Sequence, residues 1–268
     1  IDREGFLSEE AAQQRQSISE AYRDALELAR QLNLKAMEVL RSMKLDWDDE
    51  AKVIVASLMV RVVETYQGVV LLLERGMVAQ ARMLVRAEFE ALFSLAAIAK
   101  QPSLLDSYVA QHYDSVIKAF KSAKRWKQKT LRGKLDTRTI DRLVTQNQAK
   151  LNASQAKPLK IWKWAKKAGL NDFYNVFYVE NSSAVHSDMW ALNDHVDGDA
   201  QGDMQIYFGP SDSGLYHALR SAATALISAI GFLGYAYNLK VEDTMQELRQ
   251  RWERLDQAYY AEGANDET

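Results

Sequence analysis

Four charged side chains sit where apolar helices should carry none. Residues 53–73 are apolar on every face of a helix, so the segment is predicted to be buried all round, yet Arg61 and Glu64 stand in its middle. A second apolar run repeats the situation, with Leu84, Val85, Phe89, Leu92 and Phe93 surrounding Arg86 and Glu90. A lone charge in a core costs several kcal/mol, so the four are expected to pair or to face a wet cavity. Within each helix the Arg precedes the Glu, the less favourable order for an intrahelical pair. That order points to pairing across the helices, Arg61 with Glu90 and Arg86 with Glu64. A buried ionic network that only fixes helix register would show the same pattern.

A third segment adds a histidine. Tyr174, Tyr178, Ser182 and His186 recur every four residues. On an α-helix each such step drifts by only about 40°, so the four polar tips can share one groove. Asn181 lies beside the stripe as a further polar group. In a catalytic reading His186 is the general acid/base, because an imidazole titrates near neutrality. Arg86 stabilises negative charge on a phosphorane-like transition state through its fork of donors, with Arg61 as the other available cation. Glu90 orients Arg86, Glu64 completes the ionic set, and Tyr174, Tyr178, Asn181 and Ser182 position substrate. A hydrogen-bonded structural histidine is the plainer assignment for His186.

The charge distribution suggests what such a substrate would be. The chain carries −2 overall, but residues 118–167 hold sixteen Lys/Arg against only Asp136 and Asp141, leaving this stretch about +14 and the rest about −16. A basic stretch of that kind suits a polyanion. Lys121, Arg125 and Lys129 are candidate contacts to an RNA backbone, and Trp126, Trp162 and Trp164 could stack on bases. Alternatively, the stretch packs against acidic neighbours in the same fold or in a partner subunit, and the tryptophans belong to the core.

Other chemistries find little support. There is no cysteine, hence no disulfide, thiolate metal site or cysteine nucleophile. No Glu-x-x-His occurs, which excludes a ferritin-like di-iron bundle. The acidic, Gly-containing run from Asp194 to Gly202 superficially follows a calcium loop, but the twelfth position counted from Asp197 is Phe208 rather than Glu. A looser divalent site would have to draw on His186, Asp188, Asp194 or His195. Neither a Gly-x-Ser-x-Gly elbow nor a Gly-rich phosphate loop is present. No metal and no cofactor are expected.

The elements that must position these residues are helices. Only 3 Pro and 12 Gly interrupt 268 residues. The periodicity predicts an all-α, multi-helix bundle of about eight helices with long antiparallel core helices and one irregular loop near 191–213, which contains a short extended piece at 205–208. One helical domain should span 1–268, with a core at 47–239 and terminal helices 8–44 and 241–262 packed on it. Ser8 suits the start of the first helix and Gly76 the end of the second. Residues 53–73 and the uncharged 221–239 approach membrane-spanning length. Arg61 and Glu64 in the one, and Ala, Ser, Gly and Tyr in the other, favour buried core instead. No membrane partner is expected. Ile1 to Glu10 is charged without an apolar run, so no leader is expected in it, and the absence of cysteine makes the cytoplasm the default.

Arg61-x-x-Glu64, the 71–74 segment with Gly76, Arg86-x-x-x-Glu90 and the Tyr174/Tyr178/Ser182/His186 stripe together resemble the bacterial domain-of-unknown-function family 5677 over roughly residues 50–190. The resemblance implies an all-helical fold and no established biochemistry. Such proteins are also similar to the HEPN class of helical nucleases of toxins and antiviral systems. These use an Arg, a polar residue and a His near one helix end to cleave RNA without metal, at a subunit interface. Here the residues upstream of His186 are Glu180-Asn181-Ser-Ser-Ala-Val. Asn181 fits as the polar member, and Arg61 or Arg86 must supply the cation from another helix. The expectation is therefore a HEPN-like, metal-independent ribonuclease or RNA-binding effector of a toxin or phage-defence type. Its expected partners are RNA, a second copy or a partner protein of the same defence system, with no sequence-specific DNA binding. The alternative is a non-catalytic helical module that binds a partner protein or small ligand in the same groove.

Overall fold

The computed structural model describes residues 5–130, 137–186, 189, 192, 196–198, 204–206 and 209–263; of Glu10, residues 126–130, His186, 197–198, 204–205 and 262–263 only the backbone is described. The helices are α1 (Glu9–Ala21), α2 (Arg23–Ser42), α3 (Glu50–Leu73), α4 (Val78–Lys100), α5 (Leu105–Thr130), α6 (Thr137–Ala153), α7 (Ile161–Ala168), α9 (Leu215–Tyr237) and α10 (Glu242–Gly263). Between them α8 runs over 171–186 in three pieces, Asn171–Phe173, a π-helical Tyr174–Tyr178 and Val179–His186. The fold is thus all-α, with ten helices among the described residues rather than about eight. The irregular loop contains a small antiparallel ribbon, β1 (Val196–Gly198) with β2 (Met204–Ile206), in which Val196 faces Ile206.

Local chemistry explains where the helices begin and end. Ser8 accepts a hydrogen bond from the Ala11 amide at 3.2 Å, and Asp49 does the same for Lys52 at 3.0 Å. Each satisfies a first-turn N–H that has no partner within the helix. The α3 helix closes at Gly76, in the left-handed region at φ 67°. The Met77 amide bonds back to Leu72 and the Gly76 amide to Leu73, the paired bonds of a Schellman turn. Only residues 74–77 connect the two helices, so α3 and α4 run antiparallel, as expected.

Packing then selects the faces. The α4 helix lies between α3 and α9 on one side and α7 and α8 on the other, while α2 crosses α3 and α9 and carries α10. Tyr66, Phe89, Phe93, Trp164, Tyr216 and Trp252 are fully buried at these junctions. Each large side chain removed from water stabilises the fold by about 1.5–3 kcal/mol. Small residues of α9 (Ala222, Ala223, Ala225, Ala229) let its backbone approach α3 and α4 closely. By length and composition α3 and α9 could each cross a membrane, but 56% and 67% of their apolar windows are buried inside the bundle.

Two expectations are corrected here. The first helix is not continuous over 8–44: the backbone turns at Tyr22, φ −108° and ψ 25°. There the ring turns toward the α9–α10 side, and its hydroxyl stands 3.5 Å from Asp212. Nor is α3 buried all round. Its neighbours cover three sides, and Arg61 and Glu64 stand on the fourth, exposed. The charges that looked impossible in an apolar helix therefore point to water rather than inward.

Candidate functional site

The α4–α8 contact builds a polar cluster over an aromatic floor. Phe89 stacks on Phe177 (centroids 5.5 Å, 7°) and meets Phe173 edge-on, while Phe93 lies against Tyr174 and Tyr178. Tyr174 and Tyr178 stack on each other at 5.1 Å. This floor fixes α8 against α4 and raises the Tyr178 hydroxyl into reach of Arg86 and Glu90. Arg86 donates from Nε and Nη2 to the Tyr178 oxygen, both at 3.1 Å, and Tyr178 donates to Glu90 Oε1 at 2.9 Å. Arg86 also pairs directly with Glu90 at 3.3 Å, and its guanidinium lies over the Tyr178 ring. Burial is the main cause that lifts the Tyr178 phenol above its ordinary pKa; Arg86 opposes and Glu90 adds. The phenol therefore stays protonated and remains a donor. Arg86 keeps 21% and Glu90 43% of its side-chain surface, so the cluster opens to solvent.

Arg82, one turn before Arg86, extends the cluster. It donates to the Glu180 carbonyl at 3.1 Å and to Ser183 Oγ at 3.3 Å. Sequence reasoning missed it, although Arg82, Arg86 and Glu90 follow a four-residue spacing that marks one helix face.

The predicted cross-helix pairs do not form. Arg86 pairs with Glu90 on its own helix, with Tyr178 as the bridge that makes the unfavourable order workable. Arg61 and Glu64 make no ion pair among the described residues and do not join the cluster. Of the α8 groups, Tyr178 joins it. Asn181 is buried and gives its amide to the Phe177 carbonyl at 2.7 Å, and Ser182 donates to the Tyr178 carbonyl at 2.7 Å. Both side chains serve the backbone where the π turn passes into the α-helix. Such turns disturb the carbonyl ladder, and nearby polar side chains restore it. The backbone of His186 ends α8, while its ring, with Asp188, Asp194 and His195, lies outside the described residues.

The basic segment forms α5, α6 and α7. The base of α5 is anchored, because Gln111 Oε1 accepts from the buried Trp164 at 2.9 Å and Tyr108 packs edge-on to the same ring. Farther along, α5 pairs mainly with α6 as a helical hairpin. Lys118 pairs with Asp114, and Lys124 with Asp141. Lys121, Arg125 and Arg142 are exposed and have no acidic partner among the described residues. Trp162 is 43% exposed, Trp164 belongs to the core, and the side chains of Trp126 and Lys129 lie outside the described residues.

One ionisable group deeper in the bundle also escaped the sequence reading. Glu88 is fully buried, and neither carboxylate oxygen has a hydrogen-bond partner. Burial pushes its pKa well above the ordinary carboxylate range, so it is held protonated, and Tyr66 nearby is raised by burial and by Glu88. The signal was available. Ala81, Val85, Glu88, Leu92 and Leu95 recur at alternating four and three, the α4 core stripe, with Glu88 at its centre.

No curated protein and no solved structure matches the chain. A family model does match, over residues 52–204, more than half of the chain and the part that contains nearly all of α3 and then α4 to α8, with the Arg86–Tyr178–Glu90 cluster and the basic hairpin. The chain belongs to that family, DUF5677, a family of unknown function.

Proposed function

We propose that this protein is an RNA-binding effector that holds the RNA backbone on the α5–α6 hairpin, in the manner of HEPN-like proteins. The observation that carries this reading is the cluster of exposed, acid-free cations Lys121, Arg125 and Arg142 on an anchored helical hairpin. Cations not neutralised by a neighbouring acid are available to displace counterions from a phosphate backbone. Trp162, half-exposed with Lys163 over its ring at 5.4 Å, offers a stacking surface on the adjoining helix. In the finer form of the proposal, Arg86 meets a phosphate and His186 moves the proton, giving metal-independent cleavage.

Fluorescence anisotropy with a single-stranded RNA over a salt series tests the binding. Affinity should fall steeply with salt. Combining Lys121→Ala with Arg125→Ala and Arg142→Ala should flatten the slope by about 0.7 for each phosphate that is no longer neutralised. An RNA that does not bind at low salt removes the proposal. Cleavage is tested separately, with total RNA in chelator, beside His186→Ala and Arg86→Ala. Equal inertness of all three proteins would leave an effector that binds without cutting.

A second reading has its own support. Arg86 is already engaged by Tyr178 and Glu90, which suits a preformed recognition groove for a partner protein or small ligand. Unchanged RNA affinity in Arg86→Ala would favour it for the groove.

A further inference from the structure

The exposed side of α3 and its closing turn holds two acids, two bases and two large apolar residues in a symmetrical order. Glu50, Ile54, Ser57, Arg61, Glu64, Gly68, Leu71 and Arg75 follow one another at alternating four and three, and none of them is buried. Residues between them, such as Val55, Met59, Val62 and Val69, are buried. Such spacing marks one continuous face of a helix, as it does for the buried Ala51, Val55, Leu58, Val62, Thr65 and Val69 on another side. The face is not purely polar: Leu71 is 54% and the neighbouring Val60 43% exposed, with Met83 of α4 at 40%.

The seam is complementary to its own reverse. A twofold axis between Val62 and Val63 would set each residue against the one whose number completes 125. Arg61 then faces Glu64 of a second copy, and Glu50 faces Arg75. Ile54 meets Leu71, and Ser57 meets Gly68, beside which Leu84 of the same copy lies. Every charge finds its opposite and every apolar residue an apolar one, as an isologous interface requires. In the single chain none of these charges has an ion-pair partner among the described residues. A lipid surface would not call for balanced charges in mid-helix.

We infer that the protein forms a homodimer in which α3 packs antiparallel on α3 of a second copy, in the register that joins Arg61 to Glu64. A helix of this length presents a strip about 36 Å long and about 10 Å wide. That is roughly half of the ~800 Å² that each partner buries in a stable interface, so the inferred dimer must also bury residues flanking the seam, Val60 and Met83 among them. The inference does not depend on RNA binding, and its readout is mass.

Sedimentation velocity on the full chain should show a dimer at micromolar concentration. Arg61→Glu alone and Glu64→Arg alone should each weaken association by about tenfold or more, because each sets like charges together twice in one interface. The double exchange should restore the wild-type constant. The positions are exposed, and circular dichroism melts confirm that each variant folds. As an independent check of register, Ile54→Cys with Leu71→Cys in this cysteine-free chain should form disulfides between copies under mild oxidation. A monomeric wild type overturns the inference, as does a dimer indifferent to the single exchanges or not restored by the double one. Mass gained only with lipid vesicles would also overturn it.

Discussion

At the scale of single residues, Glu88 carries an internal cost. A carboxyl with no partner in a closed core must be held neutral, and its folded pKa lies above the unfolded one. Stability from this group is therefore greatest below the unfolded value of about 4.3 and falls as pH rises toward the folded value. Glu88→Met should raise stability by about 1–3 kcal/mol at pH 8, and by less at pH 5. Urea unfolding at the two pH values measures this, and an equal gain at both would show that the folded pKa of Glu88 is not raised above the unfolded one. Arg86 is the contrasting case, a charge at the edge of the bundle whose hydrogen bonds are supplied by one phenol and one carboxylate. Both residues lie on α4, yet only the position in the 4–3 stripe separates the buried one from the open one.

At the scale of elements, turns decide more than helices. Gly76 combines a left-handed backbone with neighbours that leave no room: a Cβ there would lie 2.8 Å from Ile18 Cδ1 and 2.8 Å from the Ser211 amide. Ser211 donates to the Gly76 carbonyl at 2.9 Å, so the α3–α4 turn is also the point where α1 and the segment before α9 converge. Gly76→Ala should cost about 2 kcal/mol or more, from backbone strain and displaced neighbours together. Gly231, in mid-α9, has open space where a Cβ would stand. Gly231→Ala should stabilise by about 0.5–1 kcal/mol through helix propensity. Thermal melts of the two variants should move in opposite directions; a drop in both would mean that α9 is tighter than its geometry indicates. The end at Gly76 was legible because capping is local chemistry. The π turn at Tyr174–Tyr178 was not, because it follows from how Phe173 and Phe177 must meet Phe89 on another helix.

At the scale of the whole molecule, the C-terminal helix buries Met245, Leu248 and Trp252 in the core and adds one carboxylate that ties it to α9. Asp256 of α10 accepts from Tyr216 at 2.7 Å and from Arg220 Nε at 2.9 Å. Desolvation first, and the bond to Asp256 next, hold the Tyr216 phenol far above its ordinary pKa. Asp256→Ala strands a partly buried guanidinium and a buried phenol, and should cost about 1–3 kcal/mol. Hydrogen exchange should show α10 as the region that loosens; a uniform drop in protection would argue that α10 and the core open as one unit. The same assembly leaves α5 and α6 as a basic hairpin at one side and the α3 seam open on another.

The all-α class, most of the helices and the ends at Ser8 and Gly76 follow from residue types a few positions apart, so the amino-acid order determined them, while the break at Tyr22 was not legible. The basic stretch and the concentration of Arg and Glu on α3 and α4 were equally legible as composition. Which face each helix turns inward depends on neighbours supplied from distant parts of the chain, and only tertiary packing decided it. Three neighbours close on α3 from the sides away from Arg61 and Glu64, so those charges meet solvent, while α4 is enclosed around Glu88. A charged residue in an apolar helix therefore had two opposite fates here, and the difference was burial by other segments rather than anything in its own.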